Sequence, residues 1–381
     1  LEIDLKKLVS TCSVSEKQQI LIARAVAEKV KYLILDEPTA SLSQTETEKL
    51  FKIIKTLKQK GVGIIFISHR MPEIKAICDQ VTVLRDGKNV KTASVAEISI
   101  EEIIKEMLGE FQEALETRTE THAVNKAVPL LEVKDLYVPE TKRHLNLTVN
   151  KGEIVGIAGL VGAGKSETAQ ALVGGTPGVK GTWSINNKSF RIKKPSEAIQ
   201  AGLCLIPEER RKQGLVVGGT ILENVSLPSI NRFVRSGFIL TNKEKAAVAQ
   251  TVKAVGIKTP SLHAEAKKLS GGNQQKVVIG KWLMTDCDVF ILDEPTKGID
   301  VQAKQDIFTL INDLACQGKS IIYFTSEIEE LLQIADRILV MFDGEFVASF
   351  DAKNATHGDI LKAATGGVNI ESRGPIETSQ A

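Results

Sequence analysis

The chain has 381 residues, of which 43% are hydrophobic and 25% charged, with a formal net charge of +2; this is ordinary globular composition with room for two or three domains. The near-neutral charge and 4% aromatic content give no footing for a nucleic-acid surface, and no apolar run approaches the ~20 residues that span a bilayer. Five scattered cysteines without CxxC spacing exclude a disulfide framework and a zinc site, and point to a reducing compartment.

From Ser13, SVSEKQQILIARAV places Ile20, Ala23 and Val26-Ala27 at helical spacing, with Ser13 or Ser15 as the N-cap. Residues 31–35 predict a short buried strand ending at Asp36-Glu37-Pro38. A helix over 44–59 carries Leu50, Ile53-Ile54 and Leu57 on one face. A second apolar strand over 61–68 runs into His69, followed by a helix over 73–77 and a strand over 81–84. This alternation predicts a parallel α/β sheet. Residues 109–127 are polar, lack core periodicity and read as a linker. LLEVKDLYV and HLNLTVN then predict an antiparallel flap, and a buried strand over 153–158 leads straight into residues 159–166. A strand over 203–206 precedes the charged PEERRKQG, and 220–268 is polar and helix-prone. The stretch 269–300 opens with Ser-Gly-Gly at a helix start and closes with the strand VFIL and two carboxylates, Asp293 and Glu294. A helix over 301–317 and strands over 320–324 and 337–341 complete the pattern.

The chain repeats itself. LILDEPTASL at 33–42 returns as FILDEPTKGI at 290–299, 257 residues on. The same offset carries Ser13 to Ser270, Ala23-Arg24 to Gly280-Lys281 and Arg85-Asp86-Gly87 to Phe342-Asp343-Gly344. Ser68-His69 matches Ser326-Glu327 at 258, which predicts two compensating single-residue indels. A period this long is a domain duplication. The expected organisation is residues 1–108 as the later part of a first copy, 109–127 as linker, 128–366 as a complete second copy and 367–381 as tail. A phosphate loop for the first copy would lie ahead of Leu1, so the chain reads as an N-terminally truncated piece.

GLVGAGKS at 159–166 fits G-x-x-x-x-G-K-[ST] in its required place, after a strand and before a helix. Gly159, Gly162 and Gly164 let backbone N–H groups wrap phosphates, Lys165 reaches the β- and γ-oxygens, and Ser166 ligates Mg2+. A bare Gly-rich turn would leave the downstream acid pair unexplained. Asp293 suits the Mg2+ shell and Glu294 the orienting of an attacking water; Asp36 and Glu37 are their counterparts in the first copy. Ser270, Gly271 and Gly272, at a helix start, offer a second anion-binding face.

LSGGxxQ beside these motifs resembles the signature of ATP-binding-cassette (ABC) ATPases, and the resemblance covers the chain to about residue 366. It implies an α/β P-loop NTPase cassette with a mostly parallel sheet, an antiparallel flap and a helical subdomain, complete in the second copy and partial in the first. It implies ATP and Mg2+ as ligands, with each nucleotide held between the phosphate loop of one cassette and the signature of the other, Gln275 included. The finer pattern is similar to the duplicated ATP-binding subunit of bacterial sugar importers of the ribose/galactose/xylose type: LSGGNQQK, IPEERRKQGL where a Gln-containing loop is usual (Glu208 at the Gln position), a Glu for the switch His, and the degenerate SVSEKQQ. The partners so implied are two integral membrane permease subunits and, indirectly, an extracytoplasmic sugar-binding protein, at the cytoplasmic face of the membrane, with no nucleic acid. The loop after Ile206 and residues 220–233 are the expected coupling surface.

Two unequal sites follow from the resemblance. One joins Asp36, Glu37 and His69 with Ser270-Gly271-Gly272 and is expected to hydrolyse ATP. The other joins Lys165, Ser166, Asp293 and Glu294 with Ser13-Val14-Ser15; there Glu327, taken as standing at the His69 position, is expected to repel the γ-phosphate, leaving a site that mainly binds. Turnover by the chain alone is expected to be weak. A nucleoside or autoinducer importer would share these features, whereas a two-cassette translation factor is disfavoured by the short acidic stretch at 109–127. Tyr137 is a candidate adenine-stacking side chain, Arg210, Arg211 and Lys212 candidate contacts to nucleotide or permease, and Trp183 and Trp282 packing residues.

Overall fold

A computed structural model describes residues 6–12, 14–27, 30–36, 38–39, 44–68, 71–85, 87–100, 102–103, 106 and 125–366. Ser13, Glu37, His69, most of the expected linker and the tail lie outside them. The chain divides into two compact units, residues 1–119 with 300–302 and residues 120–299 with 303–381.

In the first unit, helix Val14–Ala27 leads to strand β1 (Tyr32–Asp36), helix Gln44–Gln59, strand β2 (Gly63–Ile67), helix Met71–Ile77 and a hairpin of β3 (Gln80–Arg85) and β4 (Lys88–Ser94). β1 and β2 pair in parallel from Tyr32–Gly63 to Asp36–Ile67. Leu33 and Leu35 pack with Ile22, Leu50, Ile54, Leu57 and Ile77. The fully buried strand expected over 31–35 is instead half-buried: its burial alternates, and Tyr32 and Ile34 are exposed. The period-2 pleat sends successive side chains to opposite faces, and only one face is covered among the described residues.

The second unit opens with β5 (Asn125–Val138) and β6 (Arg143–Lys151), then β7 (Ile154–Ala158) and helix Lys165–Leu172. β8 (Lys180–Ile185) and β9 (Lys188–Phe190) follow, then helix Pro195–Ala201 and β10 (Leu203–Ile206). The region 220–268 holds helices Ile221–Ser226 and Thr241–Val255 with a two-residue-strand hairpin, β11 (Val234–Arg235) and β12 (Phe238–Ile239), between them. Helix Gly271–Leu283, β13 (Val289–Asp293), helix Val301–Cys316, β14 (Ser320–Thr325), helix Ile328–Ile334, β15 (Arg337–Phe342), β16 (Glu345–Asp351) and helix His357–Ala364 complete it.

Six strands order as β10-β13-β14-β7-β15-β16, parallel except for the last pair. Every residue of β7, β13 and β14 is buried, the mark of a parallel sheet covered on both faces. One face packs on helix Lys165–Leu172 and the antiparallel sheet β6-β5-β8-β9, around Leu131, Val149, Leu172 and Trp183. The other packs on helices Val301–Cys316, Ile328–Ile334 and His357–Ala364, around Ile307, Leu331 and Ile360. A third cluster, including Ile221, Val225, Val248 and Val277, holds the helical region together. No helix among the described residues is long and apolar enough to cross a membrane.

Candidate nucleotide site

Strand registers bring four strand ends of the second unit level. Ala158 lies beside Thr325, Phe324 beside Asp293, and Leu292 beside Ile206. The loops after β7, β13, β14 and β10 therefore emerge at the carboxyl edge of the sheet, where α/β folds place ligands.

Gly162 and Gly164 have φ of +86° and +97°, a region open to glycine, and Gly164 turns the loop into helix Lys165–Leu172. A Cβ on Gly159 would lie 2.9 Å from the Met341 carbonyl oxygen, so that position is held to glycine by packing. The buried Lys165 donates Nζ to the carbonyls of Gly159 (2.7 Å) and Leu160 (3.2 Å) and lies 3.6 Å from Glu294 Oε1. Its ammonium is thus held over its own loop.

Asp293 is 2% exposed, and its Oδ1 has no hydrogen-bond partner. Burial pushes its carboxyl up to about 7, against the pull of the Ser166 hydroxyl and the Lys165 charge. Ser166 Oγ also lies 3.5 Å from Glu208 Oε2. A buried carboxylate oxygen with nothing to bind, beside a hydroxyl, is a hard-oxygen donor set of the kind that suits Mg2+. Glu294 adopts a left-handed φ of +45°, which is uncommon for a residue with a Cβ and a mark of functional sites. Its Oε1 accepts from the Ser326 N–H (2.9 Å) and its Oε2 from Thr325 Oγ1 (3.2 Å).

Glu208 is paired with Lys297 at 2.6 Å. Arg210 ties the same two loops together through the carbonyls of Lys297 (2.7 Å) and Gly298 (3.1 Å). Arg211 donates to Gln274 (3.1 Å), and Lys212 pairs with Glu209 (2.8 Å). Beside this loop a cavity of about 230 Å³ is lined by Gln170, Ile199, Pro207, Gln213, Lys281 and Trp282, among others.

Ser270 caps helix Gly271–Leu283, its side chain accepting from the Asn273 N–H. Gly271 and Gly272 start that helix, and the chain's own packing holds Gly272 to glycine. A Cβ on Gly271 would meet Arg210 Nη2 at 2.9 Å, and one on Gly272 would meet Ala303 Cβ at 2.3 Å. Gln275 is buried, and its Nε2 has no hydrogen-bond partner. Tyr137 lies in β5 against the His144 ring (centroids 5.0 Å apart). Trp183 is buried and donates to the Leu172 carbonyl (3.0 Å). Asp36 ends β1 as its counterpart Asp293 ends β13.

The structure corrects the alignment of the two copies. Tyr32 pairs with Gly63 and Asp36 with Ile67; Val289 pairs with Ser320 and Asp293 with Phe324, all 257 residues on. Helices Met71–Ile77 and Ile328–Ile334 keep the same offset. No indel separates the copies here: Ser326 stands at the His69 position and Glu327 at that of Arg70. The apparent match at 258 came from coincident Phe and Ser letters. Glu327 is also not a bare negative charge, because Lys304 pairs with it at 2.8 Å.

A buried polar network escaped the sequence reading. Glu330 accepts from Thr296 Oγ1 (2.7 Å) and Tyr323 Oη (2.8 Å), pairs with Lys304 at 2.5 Å, and lies 3.2 Å from Thr325 Oγ1, whose one proton is shared between Glu330 and Glu294. Burial pushes its carboxyl up, while Lys304 pulls it back. In the first unit Glu73 accepts from Thr39 Oγ1 (2.8 Å) and Ser68 Oγ (2.9 Å), the residues 257 before Thr296 and Thr325. A constant offset read through polar as well as apolar positions would have found it.

The ABC transporter family pattern matches residues 142–297. The ribose import ATP-binding protein RbsA of Bacillus licheniformis is 42% identical over 367 residues, covering 96% of this chain and 74% of that protein. That of Clostridium perfringens is 42% identical over 366 residues, covering 96% and 72%. The crystal structure of a nucleotide-free ATP-binding cassette from an ABC transporter overlays 63% of this chain on 96% of its own, with a TM-score of 0.52 at 24% identity, and shares the fold. Sequence likeness over nearly the whole chain, together with a phosphate loop, an acid-ended strand and an LSGG helix start on one P-loop scaffold, makes this chain a member of the ATP-binding-cassette ATPase family.

Proposed function

We propose that the protein is the ATP-binding and ATP-hydrolysing subunit that energises import of a pentose or hexose through a membrane permease. The observation that carries the reading is its 42% identity, across 96% of its length, to proteins named for ribose import. Two integral membrane permease subunits would bind it at the cytoplasmic face, fed by an extracytoplasmic sugar-binding protein. The cavity beside the loop after Ile206 supports a docking site there, since it joins that loop to helix Gly271–Leu283 through Pro207, Gln213 and Trp282.

In the second copy the Gly159–Gly164 turn wraps the phosphates, and Lys165 moves from its loop carbonyls to the β- and γ-oxygens. Asp293 and Ser166 would hold Mg2+, which would supply charge neutralisation to the phosphates. Glu294 orients a water toward the γ-phosphorus; the water oxygen bonds to phosphorus, the bond from phosphorus to the bridging oxygen breaks, the water's surplus proton passes to solvent, and ADP and phosphate leave. The two copies divide the work. The first has Glu37 with His69, an imidazole able to donate to the γ-phosphate. The second has Glu294 with Ser326, whose side chain is too short to replace an imidazole. The first copy's acid therefore drives turnover, and the second copy chiefly holds ATP.

The test is uptake by proteoliposomes containing the permease subunits and this ATPase, with the binding protein outside. ATP inside should drive accumulation of labelled ribose or a related sugar, and a non-hydrolysable analogue should not. Accumulation of a nucleoside and of no sugar would overturn the carbohydrate reading.

A further inference from the structure

The two copies differ at one charged contact that the motifs do not mention. Lys304 on helix Val301–Cys316 and Glu327 after β14 form a 2.8 Å ion pair, and the same ammonium reaches the buried Glu330. At the corresponding positions, 257 residues earlier, the first copy has Thr47 and Arg70. Both members have changed, to a matched pair of opposite sign. The buried Thr–Ser/Thr–Glu network behind them is common to both copies.

Glu327 is part of the turn that holds the acid of the second site. Thr325 Oγ1 lies 3.2 Å from one oxygen of Glu294, the Ser326 N–H donates to the other, and the Glu327 N–H donates to Thr325 Oγ1 at 3.0 Å. The turn is three residues long, so the position of the Glu327 side chain governs where the two donors point. A single half-buried ammonium with two carboxylates on it has little freedom to leave, since departure would set both negative charges against each other.

We propose that the Lys304–Glu327 pair is a latch specific to the second copy, which clamps the 325–327 turn onto the helix behind it and keeps the Glu294 carboxylate parked on Ser326 and Thr325. Lys304 and Glu327 are positioning residues, and both act through the turn. The latch rests on the reading of the second site as the slow one and supplies a structural cause for it.

The experiment compares the purified chain with Lys304→Thr/Glu327→Arg, which installs the first copy's residues, with Glu327→Gln, which keeps Lys304 on Glu330 and so protects the fold, and with the conservative Lys304→Arg. Single-turnover hydrolysis of labelled ATP, nucleotide affinity from a fluorescent ATP analogue, and amide exchange of the peptide covering 320–331 are read on each. The double variant should hydrolyse at least tenfold faster and Glu327→Gln at least threefold faster. Affinity should stay within twofold, and the Ser326 amide should exchange faster in both. Lys304→Arg should match the wild type in all three. A slow wild type with folded variants that neither speed up nor exchange faster overturns the latch alone. A wild type that already hydrolyses as fast as the double variant, and loses that rate on Glu294→Gln, overturns the slow-site reading and the latch with it.

Discussion

Lys281 sits at the helix end beside Trp282, with Nζ 5.3 Å from the indole centroid and donating to the Gly214 carbonyl. Burial lowers its pKa from the ordinary lysine value to about 8. Below that the folded state carries a costly ammonium at full cost. Between about 8 and the ordinary value near 10.4, the unfolded chain binds more protons than the folded one, so stability rises with pH. Lys281→Met should remove this contribution. The variant should melt above the wild type at pH 7.5 by about 2–4 °C, the shift that roughly 1 kcal/mol gives in a domain of this size. The gap should narrow by pH 9.5, and thermal melts with parallel pH slopes would refute the assignment. Asp293 shows the same physics in a carboxylate, whose buried oxygen has no hydrogen-bond partner.

At the scale of elements, helix Gly271–Leu283 is held close to its neighbours by its first two residues. Gly272 allows an approach to helix Val301–Cys316 that leaves no room for a methyl group, with the added carbon only 2.3 Å from Ala303 Cβ. Gly272→Ala should therefore cost about 1–3 kcal/mol by overpacking. Ala303→Gly in the same chain should recover part of the loss, because it removes the group that clashes. Chemical denaturation of the single and double variants measures both. An undiminished midpoint for Gly272→Ala would show that the glycine serves only ligand approach.

For the whole molecule the proposal of unequal copies has a direct consequence. In the assembled transporter, Glu37→Gln should abolish steady-state ATPase activity, a loss of at least 100-fold, whereas Glu294→Gln should leave at least half. Phosphate release measured on the two variants decides it, and equal losses would sink the division of labour. The copies keep one framework: β1, β2, helix Gln44–Gln59 and helix Met71–Ile77 each begin 257 residues before β13, β14, helix Val301–Cys316 and helix Ile328–Ile334. The charged pair Lys304–Glu327, where the first copy has Thr47 and Arg70, is one of the differences set on it.

The sequence by itself determined where the phosphate loop, the acid-ended strand and the helix start at Ser270 fall, because each is a contiguous run whose chemistry is local. It determined the parallel strands for the same reason, since VFIL and its neighbours can be buried only in a covered sheet. Tertiary structure alone decided which strand ends meet, because register depends on hydrogen bonds between segments far apart in the chain. That register moved the His69 equivalent from Glu327 to Ser326, by one residue that letter matching had misplaced. It also decided that Glu327 and Glu208 are paired, with Lys304 and Lys297. Neither pairing has a sequence signal: helix packing and loop approach bring the partners together, and charge at a distance of tens of residues carries no period.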